Sequence, residues 1–421
     1  MLPRFMLVRQ KFPDSYIKDI PAVVCAELDT LNLKAKLPAG AVVGITAGSR
    51  GINNIVLILR TTINYLKKQN FKPCILAAMG SHGGGKSSGQ LEVLASLGIT
   101  EQSMNVPILA GSEVMEMGKT ASGLSAFINK NVAKTQGIIV INRIKLHTGL
   151  RGDIQSGLTK MCVVGLGGPS GAQQFHSLGV SQMPAAIRAI GSILVNNCPI
   201  IGGLGIVENA YDHTAVIKAI VAKDFIVKEP MLFRQAEKLM PRLPFEQCDV
   251  LVIGEMGKNY SGTGMDINII GRFRVIGEPE FTTPNIRRIV VLDIAEASHG
   301  NANGIGLADV TTKRLVSKID FKATYLNVLT STYVPRCFIP LTFATEKESI
   351  ENAIISLGRS NPVSLRMSII PNTLHLDYVY LSQAFAEEVK KRSNLEILAE
   401  NIELKFSPEG NIQNVTYKAK L

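Results

Sequence analysis

Ala41-Val42-Val43-Gly44-Ile45, Ala47-Gly48-Ser49-Arg50-Gly51, the stretch from Asn54 to Lys68, Cys74-Ile75-Leu76-Ala77-Ala78-Met79 and Gly80-Ser81-His82-Gly83-Gly84-Gly85 follow one another and decide the fold. The first is a short apolar run, as a buried strand requires, and the second is a glycine loop. Residues 54–68 have helical periodicity, and 74–79 is a second buried strand emptying into a second glycine loop. Helical character returns over Gln90–Leu97. Strand, loop, helix, strand is a βαβ unit, which implies a parallel sheet whose functional loops gather at the strand C-termini.

Working outward, Gly137-Ile138-Ile139-Val140-Ile141-Asn142 is a further buried strand that empties into Arg143-Ile144-Lys145-Leu146-His147. The glycine-punctuated stretch from Thr148 to Gly171 reads as a long structureless loop, and such loops in compact domains are usually functional. Pro241-Arg242-Leu243-Pro244 breaks the pattern before a new strand, Val250–Gly254. Ile289–Asp293 is another strand, and Ser298–Gly304 is a polar glycine loop after it. The fold class expected is α/β, with two domains of mainly parallel sheet, residues 1–245 and 246–421, and an active-site cleft between them. A chain of 421 residues agrees with two domains, since it exceeds one ordinary core.

Composition narrows the function. A net charge of +11 suggests anionic partners, but Trp is absent and the Lys and Arg residues are scattered, without the basic cluster and stacking aromatics of a nucleic-acid module. The charge is therefore read as solvated surface, or as steering of an anionic substrate. The six cysteines are isolated, with no CxxC pair, which argues against zinc ribbons and thioredoxin-like chemistry and fits reduced thiols in the cytoplasm. Arg4 and Arg9 leave the N-terminal apolar run too short for a signal peptide, and no uncharged stretch has membrane character.

Gly80-Ser81-His82-Gly83-Gly84-Gly85-Lys86-Ser87 matches the phosphate-loop pattern GxxxxGK[ST] between a strand and a helix. In that reading Lys86 reaches the terminal phosphates, Ser87 holds magnesium and Asp293 ends a second metal-binding strand. Against it, Ser88-Gly89 delays the following helix and Asp293 falls in the other domain. The competing reading makes His82 the working residue of the loop. Three of the six histidines, His82, His147 and His176, lie on or beside glycine-rich segments of the first half, a concentration that points to a site. Lys160, in Gln155-Ser156-Gly157-Leu158-Thr159-Lys160-Met161, is an ordinary surface charge or, among glycines and histidines, a lysine of lowered pKa able to act as nucleophile or tether.

Taken together, an arginine after the first strand, a Gly-Ser-His loop some thirty residues on, a later histidine, a Ser-Gly-x-x-Lys element and a histidine sixteen residues beyond it resemble the lactate racemase family. The resemblance spans residues 40 to 300. It implies a racemase or epimerase acting on a small anionic 2-hydroxy acid with a nickel pincer nucleotide. By that resemblance Lys160 carries the nucleotide covalently, His176 is the metal ligand, Ser81 and Gly83 contact the cofactor, and His82 and His147 act as acid and base on opposite faces of the substrate. Arg50 holds the carboxylate, and Asp266, Asn268, Arg272, Arg274 and His299 contact the substrate from the second domain. Cofactor-biosynthesis proteins are the implied partners, a homo-oligomer is compatible, and neither nucleic acid nor membrane is expected. The chain departs from the family pattern at Ala47, Gly271 and Arg274, where an aspartate, a glutamine and a lysine are usual, and it has about three extra residues between His147 and Lys160.

That chemistry suits these residue types. A carbinol hydrogen next to a carboxylate is weakly acidic, so inversion by deprotonation is difficult. A hydride acceptor on the cofactor solves this, with one imidazole taking the hydroxyl proton to give a planar 2-keto acid and the other returning a proton on the opposite face. Soft sulfur ligands come from the cofactor, so no protein cysteine is needed. A non-catalytic protein binding an anionic metabolite or the nucleotide alone is the third reading.

Overall fold

The computed structural model describes residues 2–358 and 364–415. The chain divides into two compact units, one running from Pro13 to Met240 and the other combining the N-terminal segment up to Phe12 with the chain from Pro241 onward. The expected division at 245 assigned the N-terminus to the first half. Instead β1 (Phe5–Gln10) pairs antiparallel with two strands from the far end of the sequence.

The 13–240 unit holds β2 (Val42–Ala47), β3 (Lys72–Ala77), β4 (Ile108–Leu109), β5 (Val114–Lys119), β6 (Ser125–Asn129), β7 (Gly137–Arg143), β8 (Ile200–Glu208) and β9 (Thr214–Val221). Six of them form one sheet in the order β4-β3-β2-β7-β8-β9, parallel except for the β8–β9 hairpin, and β5 and β6 form a separate ribbon. Side chains alternate across the sheet, so Ile139 and Ile141 enter one core while Ile138 and Val140 enter another on the opposite face. Helices Ile20–Asp29 and Ile55–Lys68 cover the first face, and Met183–Asn197 and Phe225–Leu239 cover the second. Burial on both faces explains why these strands are continuous apolar runs rather than alternating ones.

The second unit adds β10 (Gln247–Met256), β11 (Asn285–Ile294), β12 (Val310–Thr312), β13 (Leu341–Phe343), β14 (Met367–Ile370), β15 (Tyr378–Ser382) and β16 (Leu395–Ile402). With β1 they make an eight-stranded sheet, β13-β12-β11-β10-β14-β15-β1-β16, parallel through β14 and antiparallel beyond it. Both units are thus α/β with mainly parallel sheets. Among the described residues no helix is long and apolar enough to cross a membrane.

Two local expectations are corrected. The stretch from Thr148 to Gly171 is not structureless: it contains a helical turn at Leu158–Lys160, a π-helical turn at Met161–Gly165 and the start of the helix Gly168–Ser177. Its glycines serve close packing, since a Cβ at Gly167 would lie 2.1 Å from the Val163 carbonyl and one at Gly165 would lie 2.8 Å from that of Ala78. The helix after the second glycine loop begins at Ser87 rather than Gln90. Gly89 lets it begin there, because its Cα faces the backbone of Gly83, where any Cβ would be 2.2 Å from the carbonyl oxygen.

Candidate functional site

The parallel arrangement of β2, β3 and β7 delivers three loops to one edge of the sheet in the 13–240 unit. β2 leads to Ser49 and Arg50, β3 to Ser81 and His82, and β7 to Lys145 and His147. Lys160 ends the Leu158–Lys160 turn and opens the π-helical turn, and His176 lies in the last turn of Gly168–Ser177. The β3 loop is tied to the π turn by the Gly80 amide, which donates to the Gly165 carbonyl at 3.0 Å. Gly80 has φ of +59°, and a Cβ there would meet the Val164 carbonyl at 3.0 Å, so glycine allows the two loops to touch.

These connections bring Arg50, His82, Lys160 and His176 within range of one another's charges. The Lys160 amine is pushed down to about 7, first by burial and then by the positive charges of Arg50 and Lys145. His82 falls to about 4 through burial, Arg50 and Lys160, and His176 falls to about 4 through burial, Lys160 and His82. Burial also lowers the Arg50 guanidinium. Yet Arg50 and His82 are exposed to solvent and Lys160 and His176 are only half-buried. The four side chains form one cluster that solvent reaches. At neutral pH it presents two uncharged imidazoles, an amine close to half deprotonated and a guanidinium, a set suited to an anionic ligand and to nucleophilic or metal-binding nitrogen.

Ser49, which the sequence reading passed over, hydrogen-bonds the Nδ1 of His82 through its hydroxyl. A hydroxyl both donates and accepts, so it supports either tautomer of that imidazole. His147 is held by its own loop: its amide donates to Gln155 Oε1 at 2.7 Å, and its Nδ1 accepts the Gly149 amide at 3.0 Å. An accepting Nδ1 places the proton of the neutral ring on Nε2. The same loop bridges Lys145 to Ser156, four residues before Lys160. Ser81 is exposed, and Gly83 opens the 83–85 turn with φ of +66°.

The residues expected from the second half lie in the other unit and are engaged locally. Asp266 caps the short helix Ile267–Ile270, its Oδ1 accepting from the Asn268 amide and side chain, both at 2.9 Å. Arg272 pairs with Asp309 at 2.6 Å and donates to the carbonyls of Leu307 and Ile286. Arg274 reaches the other Asp309 oxygen at 2.9 Å. His299 is exposed, with φ of +46°. Asp293, the second-metal candidate of the phosphate-loop reading, is paired with Lys318 and Arg314. Lys86 is exposed and extended, just outside the helix that starts at Ser87.

A lysine-tethered, nickel-bearing nucleotide would need an unprotonated amine, an unprotonated imidazole and room for a planar ring. Lys160 and His176 meet the first two needs by burial, while Gly80 and Gly165 serve the close packing of the β3 loop on the π turn. Among the described residues no group of three or more His, Cys, Asp or Glu side chains is placed to hold a metal.

No family model matches the chain, and no curated protein sequence matches it. Among solved structures it is similar to a Thermotoga maritima protein, with a TM-score of 0.52 at 12% identity over 76% of this chain and 84% of that one. It is also similar to the lactate racemase apoprotein of Thermoanaerobacterium thermosaccharolyticum, with a TM-score of 0.50 at 12% identity over 88% of this chain and 98% of that one. The fold, two α/β units with mainly parallel sheets, is therefore of the kind found in lactate racemase apoprotein.

Proposed function

We propose that the protein is a racemase or epimerase of 2-hydroxy acids that works with a nickel pincer nucleotide tethered to Lys160, with His176 as the protein ligand of nickel. The observation that carries this reading is the convergence of a near-neutral lysine, two uncharged histidines and an arginine in one cluster at the sheet edge. The bound cofactor would supply a hydride acceptor. Arg50 would hold the substrate carboxylate and so orient the carbinol carbon. His82, kept neutral, would take the hydroxyl proton at one ring nitrogen while Ser49 accommodates whichever tautomer results. His147, with its proton on Nε2, would serve as the acid on the opposite face, and exchange of the two roles runs the reaction backward. Ser81 and Gly83 remain cofactor contacts in this reading. Asp266, Asn268, Arg272, Arg274 and His299 belong to the other unit, where Arg272 and Arg274 share Asp309.

A nucleotide hydrolase or kinase using Gly80–Ser87 is the second reading, favoured by the helix that starts at Ser87 directly after the glycine loop. One experiment separates the two. The protein, co-expressed with cofactor-biosynthesis genes, is incubated with enantiopure 2-hydroxy acids, and optical purity is followed by chiral chromatography. Racemisation that is abolished by Lys160→Ala and retained in Lys86→Ala is the expected result. Nucleotide hydrolysis lost in Lys86→Ala and unaffected by Lys160→Ala would overturn the proposal.

A further inference from the structure

Lys160 ends a single helical turn, and the start of that turn is gripped by a carboxylate from another helix. Glu229, on Phe225–Leu239, is 1% exposed. Its Oε2 accepts the Thr159 amide at 2.9 Å and the Thr159 hydroxyl at 2.6 Å. The Leu158 amide lies close enough to favour the charged carboxylate, while Oε1 makes no hydrogen bond among the described residues. The first amides of a helical turn have no partner inside it, and a side chain at the N-cap ordinarily supplies one. Here the N-cap is Gly157, which has no side chain to offer. Glycine is required there, because a Cβ would lie 2.0 Å from Glu229 Oε1. From the other side the Asn142 side chain donates to the Gly157 carbonyl at 2.8 Å.

Burying a carboxylate to satisfy a three-residue turn is expensive, and burial pushes Glu229 up to about 7. The helix around it is adapted to the task. Pro230 removes the amide that would bond the Ile226 carbonyl, and Arg188 donates to that carbonyl at 3.3 Å while its charge favours the ionised Glu229. The Lys160 amine responds instead to Arg50 and Lys145, so Glu229 acts on the backbone of the turn rather than on the charge of the amine.

We propose that Glu229 is a positioning residue, which fixes where the Lys160 amine is presented by holding the Leu158–Lys160 turn at its N-terminal end. The proposal rests on the reading above for what Lys160 does, but not for how it is held. Glu229→Gln keeps the shape and turns an amide donor toward groups that themselves donate. Hydrogen exchange of the 157–166 segment is then expected to rise at least about tenfold while β7 keeps its wild-type protection. Acetylation of Lys160 by acetic anhydride at pH 7.5, measured against Lys86 in the same digest, should fall at least about fivefold as the released amine regains its proton. Thr159→Val, which removes only the hydroxyl donor, should change both readouts in the same direction, and Thr159→Ser should restore them. If Glu229→Gln does not fold, the Thr159 pair decides.

Wild-type exchange and labelling in the folded variants, or exchange raised evenly across the unit, would overturn the assignment. Neither measurement needs the cofactor. A failure here therefore leaves the proposed activity standing, and absence of that activity leaves this test intact.

Discussion

Replacing Lys160 by Met should stabilise the protein at neutral pH, against the usual direction for a substitution on a packed turn. An unfolded lysine keeps its proton to about 10.5, whereas the folded one gives it up above about 7. The unfolded state therefore binds more protons between those values, so the folded state is penalised in full below about 7 and not at all above about 10.5. At about 1.4 kcal/mol per pH unit the whole shift corresponds to about 5 kcal/mol, and partial access to water reduces this to about 2 kcal/mol. Methionine fills a similar volume with no charge to desolvate. For a unit of this size the gain amounts to a rise of about 4–8 °C in Tm. Paired thermal melts of wild type and Lys160→Met at pH 7, 8, 9 and 10 should show a difference that shrinks steadily toward alkaline pH. A variant no more stable than wild type at pH 7, or a gain that does not shrink, would refute the reasoning.

Two further outcomes follow from the same geometry. Gly157→Ala places a methyl group on Glu229 Oε1 and should lower stability by about 2–4 kcal/mol in denaturant titration, with the 157–166 segment losing exchange protection first. The histidines give a separate acid limb: His82 and His176 titrate near 4 in the folded state against an ordinary 6.5, so stability should fall as pH drops from about 6.5 to about 4. His82→Gln combined with His176→Gln should flatten that slope in urea unfolding measured across this range.

Much of the first unit was legible because βαβ units announce themselves. β2 and β3 are unbroken apolar runs bounded by glycine loops, and both loops end on the predicted edge of the sheet. The place of β1 was not legible, because its partners lie some 370 to 400 residues away and nothing local encodes that pairing. Glycine density misled the reading of 148–171, where the glycines admit neighbouring backbone instead of loosening the chain.

At the site, Arg50, His82, Lys160 and His176 could be chosen by residue type and loop position. Ser49 and Glu229 could not, since each matters through a partner distant in sequence. The one available signal for Glu229 was its position, a carboxylate beside Pro230 on an otherwise apolar helix face. Arg272 and Arg274 were chosen by residue type alone, and their pairing with Asp309 could not be read from the sequence.

The central claim is that Lys160 carries a nickel-binding nucleotide, and intact-protein mass spectrometry combined with elemental analysis tests it most directly. After co-expression with cofactor-biosynthesis genes, the wild-type chain should gain the mass of one pyridinium nucleotide, mapped to Lys160 by peptide analysis, with about one nickel per chain. His176→Ala should keep the adduct and lose the metal. An unmodified Lys160 under conditions that load an authentic lactate racemase would contradict the account.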